Sequence, residues 1–96
     1  YNRGVSCVSP AFVLYAVKGK KNTVRLGITV GKKIGTAVKR NRAKRVVTAA
    51  FNACIPHIAA GYDYVIVART RILGTKSTDV AYTLQKQLKQ QNLWIE

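Results

Sequence analysis

Along Phe12-Val13-Leu14-Tyr15-Ala16-Val17 the side chains of an extended chain alternate sides. Phe12, Leu14 and Ala16 then share one face of a strand, and Val13, Tyr15 and Val17 share the other. This extended stretch runs from Ser6 to Val17 and is interrupted at Pro10, which lacks an N–H and marks a strand edge or a break. Gly19-Lys20-Lys21-Asn22 reads as a turn, and Thr23 to Val30 as a second strand. In that strand Val24, Leu26, Ile28 and Val30 face one way, while Arg25, Gly27 and Thr29 face the other. The two runs and the turn between them predict a β-hairpin.

The period then changes. From about Thr36 to about Cys54 the residues Ala43, Val46, Val47, Ala50, Phe51, Cys54 and Ile58 fall on one stripe at 100° per residue, which predicts a long helix closed by Pro56. Gly61 opens the next element, and Tyr62 to Thr70, β-branched and aromatic, reads as a third core strand. A break at Gly74-Thr75-Lys76-Ser77 precedes a last helix over about Thr78 to Gln91. Its Asp79 and Lys86/Lys89 suit the helix dipole, and Val80, Ala81, Leu84 and Leu88 supply its buried face. Strands, helix, strand, helix without repeats or linkers predict one small α+β or split α/β domain over residues 1–96, with helices packed on a single sheet.

Charge changes the picture more than composition does. The 96 residues carry 17 Lys and Arg against 3 Asp and Glu, a net charge of +14, while 48% are hydrophobic. A chain this apolar can build a core, so the cations belong to a folded surface rather than a disordered tail. Same-sign charge opposes compaction and reads as the footprint of a polyanionic partner. No apolar run approaches the ~20 residues that cross a bilayer, and no signal-peptide pattern is present, so no membrane partner is expected. Cys7 and Cys54 have no CxxC spacing and read as reduced, buried residues of a cytoplasmic protein.

The cations concentrate between Gly31 and Arg45, where 7 of 15 residues are basic and none is acidic. On the helical wheel Asn41, Arg42, Arg45 and Thr48 point away from the apolar stripe, with Lys44 at its border. Arginine presents a rigid five-donor fork that engages phosphate bidentately, and Asn41 sets an amide between two such forks. An ordinary solvated face would intersperse Glu and Asp at i,i+4; here none occurs before Asp63. Arg40 differs, its azimuth lying with Phe51 on the core side, and it is expected to project past the sheet edge into a cleft. Lys32-Lys33, flanked by Gly31 and Gly35, resembles a phosphate-cradling turn at a helix N-terminus, although no GxxxxGK[ST] loop is present. Two readings of Tyr15 stay open: its face packs on a helix, or it is partly open and the ring stacks on a base.

Protein-borne catalysis finds little support. His57 is the lone histidine and follows a proline, the three acids Asp63, Asp79 and Glu96 are scattered, and the Cys and His spacing does not fit zinc. No catalytic or metal-binding residue is therefore assigned.

The string Lys39-Arg40-Asn41-Arg42-Ala43-Lys44-Arg45, preceded by Gly31-Lys32-Lys33-Ile34-Gly35-Thr36-Ala37-Val38 and followed by Tyr62-Asp63-Tyr64-Val65-Ile66-Val67-Ala68-Arg69, resembles the bacterial ribonuclease P protein component. The resemblance extends to Phe12-Val13-Leu14-Tyr15, to Arg25-Leu26-Gly27-Ile28-Thr29-Val30, and to Tyr1-Asn2-Arg3-Gly4 as the end of an N-terminal helix whose beginning lies outside the sequence. It implies an α–β sandwich of the kind seen in a ribosomal protein S5 domain, with a left-handed βαβ crossover around the basic helix. It also implies a subunit of an endoribonuclease holoenzyme that removes the 5′ leader of precursor tRNA. The chemistry there belongs to the catalytic RNA and its Mg²⁺, and the protein itself binds no cofactor.

Carried over residue by residue, contacts to the catalytic RNA fall to Lys32, Lys39, Arg40, Asn41, Arg42, Lys44 and Arg45. A cleft for the precursor tRNA leader takes Tyr1, Tyr15 and Lys33, which turns the Tyr15 question toward base contact. The sequence departs from the family pattern after Arg45: Val46-Val47-Thr48-Ala49 lacks the Arg-Glu that often follows the Lys-Arg pair. The alternatives are a structural ribosomal protein, in which the charge would serve rRNA packing without a substrate cleft, and a DNA-binding protein with its basic helix in a major groove. The second lacks a preceding turn-helix partner.

Overall fold

The computed structural model describes residues 4–95. Its strands are β1 (Val5–Val8), β2 (Phe12–Lys18), β3 (Val24–Val30) and β4 (Tyr62–Ala68); its helices are α1 (Ala37–Cys54) and α2 (Ser77–Gln90). Short 3₁₀ turns at Lys32–Ile34, Ile55–His57 and Thr70–Gly74 join them. The strands form one mixed sheet in the order β1-β2-β4-β3. The fold is α+β, with both helices on one face of that sheet.

The expected hairpin of Phe12–Val17 with Thr23–Val30 does not form. Instead β2 pairs antiparallel with β1 on one side and with β4 on the other, and β3 pairs parallel with β4. The hairpin that exists is β1–β2, turned around Pro10 and tied by Ser9, whose Oγ donates to the Phe12 carbonyl at 2.7 Å. The reason lies in β4. Tyr64, Ile66 and Ala68 are buried on one face while Val65 and Val67 are half-buried on the other. A strand apolar on both faces belongs in the interior of a sheet. By contrast β3 alternates half-buried and exposed residues throughout, as an edge strand does.

The connection from β2 to β3 straddles the start of β4. Gly19 N–H donates to the Gly61 carbonyl at 2.9 Å, and Gly61 N–H donates to the Thr23 carbonyl at 2.8 Å. Gly61 has a φ of 91° and Asn22 a φ of 65°, a left-handed conformation open mainly to Gly, Asn and Asp. At Gly19 the constraint is different: a Cβ there would stand 2.7 Å from Asp63 Oδ1, so the Asp63 carboxylate would have to move.

Helix α1 begins at Thr36, whose Oγ1 accepts from the Lys39 N–H at 3.4 Å, and the 3₁₀ turn Ile55–His57, which holds Pro56, ends it. Its Ala43, Val47, Ala50, Phe51 and Cys54 are buried, and Val46 is half-buried, as the stripe predicts. Helix α2 contributes Val80, Leu84 and Leu88, together with Gln87, which the pattern did not mark as core. These meet Phe12, Leu14, Ala16, Tyr64 and Ile66 from the sheet in one apolar layer. At its centre Phe51 and Tyr64 stack at a tilt, 5.8 Å between centroids. Among the described residues no helix is long and apolar enough to cross a membrane.

Tyr64 is fully buried, and its hydroxyl donates to the Ala59 carbonyl at 2.7 Å. Desolvation, with a smaller contribution from Tyr62, pushes its phenol up to about 12 from an ordinary 10. The unfolded phenol therefore ionises first, and the folded state holds more protons between those values. The stability this group contributes is whole below pH 10 and is lost as pH rises through 12. Tyr64→Phe should cost about 1 kcal/mol at neutral pH for the missing hydrogen bond. It should also flatten the fall in stability above pH 10, both effects read from urea unfolding across pH; an unchanged alkaline slope would place the cause elsewhere.

Candidate nucleic-acid interface

Two surfaces carry the basic and aromatic residues singled out by the sequence. The first is the outer ridge of α1. The helix bears five cations (Lys39, Arg40, Arg42, Lys44 and Arg45) and no acidic residue. Lys39, Asn41, Arg42, Lys44, Arg45 and Thr48 are all at least partly exposed. Val38, Asn41, Arg42 and Arg45, spaced i, i+3, i+4 and i+7, line a single shallow concavity along the ridge. The sequence pattern did not single out Val38, although at 78% exposure it is an apolar residue left uncovered amid guanidinium groups.

Arg40 departs from its neighbours. It is half-buried, as its core-side azimuth predicts, and its Nε is enclosed without a hydrogen-bond partner among the described residues. An unpaired guanidinium nitrogen away from water is costly. Just before the ridge, Lys32-Lys33-Ile34 forms a tight turn anchored by buried Ile34. Gly35, at φ 125°, turns the chain into the helix there. Lys32 and Lys33 are both exposed on that turn.

The second surface is the sheet face that α1 and α2 leave uncovered. Strand register sets its rows: Ser6, Tyr15, Val65 and Gly27 lie side by side across all four strands. One row toward the C-terminal end of β4 come Val8, Val13, Val67 and Thr29; one row the other way come Val17, Asp63 and Arg25. Tyr15 is 42% exposed. Among the described residues no helix covers this face. Gly4, Val5, Ser6, Tyr15, Val17, Val65 and Val67 line a cavity on this face. Tyr1, expected beside it, lies outside the described residues.

At the C-terminal ends of the parallel β3 and β4 a crevice brings Thr29, Lys33, Arg69 and Thr70 together. Crevices outside the carboxyl ends of parallel strands are common ligand sites. Lys33 therefore stands apart from the α1 ridge, at the end of the open face. Sequence reasoning missed Arg69 as a site residue, because the crevice depends on β3 and β4 being parallel neighbours. Arg69 is held there by its Nη1, which donates to the Ser9 carbonyl at 3.1 Å.

The groups considered for catalysis are otherwise engaged. His57 stacks on Trp94 at 4.7 Å and its Nδ1 lies 2.9 Å from the Ile95 carbonyl, fastening the C-terminal segment. Cys7 and Cys54 are free and buried, and desolvation pushes both thiols up, away from reactive thiolate. No group of three His, Cys, Asp or Glu in the described residues is placed to share a metal ion.

Known proteins of the same build are numerous. The ribonuclease P family profile matches residues 1–92. The ribonuclease P protein component of Exiguobacterium sibiricum is 38% identical over 95 residues, covering 98% of this chain and 82% of its own. The Staphylococcus aureus RNase P protein superposes with a TM-score of 0.79 at 33% identity, over 98% of this chain and 86% of that one. The Thermotoga maritima RNase P protein gives 0.80 at 30% identity, over 93% and 84%. Sequence motif, family profile and superposition agree, which sets aside the ribosomal and DNA-binding alternatives: the chain belongs to the ribonuclease P protein family.

Proposed function

We propose that this subunit of the ribonuclease P endoribonuclease binds the catalytic RNA through the α1 ridge and the single-stranded 5′ leader of precursor tRNA along its open sheet face. The observation that carries this reading is the ridge itself: five cations on one helix with no carboxylate to pair them. Lys32, Lys39, Arg40, Asn41, Arg42, Lys44 and Arg45 form the contact to the catalytic RNA. Arg40 differs from the others in being half-buried, its Nε enclosed without a hydrogen-bond partner among the described residues. Tyr15 and Lys33, with Tyr1, form the contact to the leader, and Arg69 joins Lys33 at the end of that track.

The physical task is electrostatic. Precursor tRNA and catalytic RNA are both polyanions, and a +14 protein between them lowers the cost of bringing them together. A leader contact adds affinity that mature tRNA lacks, so the precursor is preferred. The cleavage chemistry stays with the RNA. The chain has three carboxylates in all, of which Asp63 faces Arg25 and Asp79 sits in the first turn of α2. That donor set does not fit a protein-built two-metal site, and the Mg²⁺ that such cleavage requires is assigned to the RNA. The expected location is the cytoplasm, where this RNA and its substrate are made in bacteria.

Reconstitution tests the proposal: a bacterial ribonuclease P RNA and precursor tRNA, at Mg²⁺ too low for the RNA alone. Restored 5′ cleavage on adding the protein supports it, and binding without rescue counts against it. Arg45→Ala should weaken RNA affinity and reduce the slope of log K against log salt by about 0.7–0.9, the value of one phosphate that the protein no longer neutralises; an unchanged slope removes Arg45 from the interface. Tyr15→Ala should cost ~1–3 kcal/mol in precursor binding, the value of a base stacked on an aromatic ring, with affinity for the catalytic RNA unaltered. Equal losses for precursor and mature tRNA would rule out a leader contact at Tyr15.

A further inference from the structure

Gly27 occupies the middle of β3, where glycine is a poor choice. In a strand it forfeits side-chain packing and costs roughly 0.5–1 kcal/mol relative to alanine. Gly35 and Gly61 are required by their positive φ; Gly27 lies in ordinary strand backbone. Nor does a neighbour exclude a side chain. A Cβ at Gly27 would meet Val65 Cγ2 at 3.7 Å and the Tyr64 carbonyl at 4.0 Å, both ordinary van der Waals contacts. Gly19 is the counter-example, with Asp63 Oδ1 at 2.7 Å from its would-be Cβ. The fold accounts for glycine at 19, 35 and 61; Gly31 and Gly74, also free of close neighbours, lie outside the strands, so Gly27 is the strand glycine it leaves unexplained.

What the missing side chain leaves is a hollow. Arg25, Gly27, Asp63 and Val65 line a depression of about 250 Å³ on the open sheet face. That is below the ~300–1,000 Å³ of enclosed small-molecule sites, and suits one group of a longer ligand. Gly27 shares its row with Val65 and Tyr15, two strand spacings away, or about 9.5 Å. At the rim stands Arg25, its side chain 66% exposed and its Nε 3.2 Å from Asp63 Oδ1. That contact lacks the alignment of a hydrogen bond, since Asp63 Oδ1 has no hydrogen-bond partner among the described residues. Asp63 thus holds the guanidinium at the edge of the hollow without locking its fork.

We infer that the hollow over Gly27 receives one nucleotide of a single-stranded RNA, its base lying against Gly27 and Val65 and its phosphate on Arg25. The inference rests on the reading that the leader lies along this face. It adds a site beyond the Tyr15 position and assigns Arg25 as a phosphate contact, with Asp63 as its positioning residue. A flat floor, a guanidinium rim and an aromatic ring in the same row are the elements of a sequence-tolerant single-strand track. Glycine at 27 is then what lets a base approach the backbone.

Filling the hollow tests this directly. Gly27→Val keeps the charge, suits a strand, and its Cβ meets only ordinary van der Waals contacts. In the reconstituted holoenzyme it should weaken precursor tRNA binding about five-fold or more, the scale of one base deprived of its stacking surface, and leave mature tRNA binding unchanged. The melting temperature of the protein should hold or rise. Arg25→Ala should lower the salt slope of precursor binding by about 0.7, as for one single-strand phosphate. Unchanged precursor affinity in Gly27→Val overturns the inference, and so does a marked fall in its melting temperature, which would make the glycine structural. If Tyr15→Ala weakens precursor binding while Gly27→Val does not, the hollow is rejected and the leader face stands. If both are silent, the leader face itself is rejected.

Discussion

The placement of β4 between β2 and β3 is the constraint on which the other features depend. Its Tyr64, Ile66 and Ala68 close the core beneath the helices, and its Val65 and Val67 floor the open face. Two backbone hydrogen bonds at Gly61 hold the β2–β3 connection across its start. Because β4 is antiparallel to β2 and parallel to β3, the sheet is mixed, and α1 must cross from one parallel strand to the next. That crossover carries the basic helix to the side opposite the open face. It also opens the crevice where Lys33 and Arg69 meet.

Charge is distributed in a way that fits two anionic partners rather than one. The α1 ridge presents Arg42, Lys44 and Arg45 on the helix side of the molecule, while Tyr15 and Arg25 face out from the other side of the sheet. An isolated chain with this excess of cations gains nothing in stability from them. Their arrangement has a rationale in a polyanionic partner. The acids are placed with the same restraint. Asp63 is paired with Arg25 at the edge of the open face, and Asp79 lies in the first turn of α2, where the helix dipole favours it.

Local pattern made much of this structure legible. A 3.6-residue period marked the buried stripe of α1, and alternation marked the inner and outer faces of β2 and β3, because both depend only on where successive side chains point. The motif around Arg40-Asn41-Arg42 carried the family, and with it the expectation of an α–β sandwich. Gln87, by contrast, lies buried in α2 with a side-chain oxygen that has no partner among the described residues, and no local rule marks a glutamine as core.

The sequence by itself determined which segments are strands and helices, which side of each is apolar, and that a strongly basic helix must stay at the surface. Tertiary structure alone decided which strands are neighbours. The short Gly19–Asn22 turn made a β2–β3 hairpin the natural local choice, yet β4, far along the chain from that turn, displaced β3 from β2. Pairing β4 on both edges, with Tyr64, Ile66 and Ala68 sealed under the helices, outweighs a local pairing, and no window of sequence short enough to show a period contains both partners. For the same reason the joining of Lys33 with Arg69, the row from Tyr15 to Gly27, and the purpose of a glycine in mid-strand became visible only once the sheet was assembled.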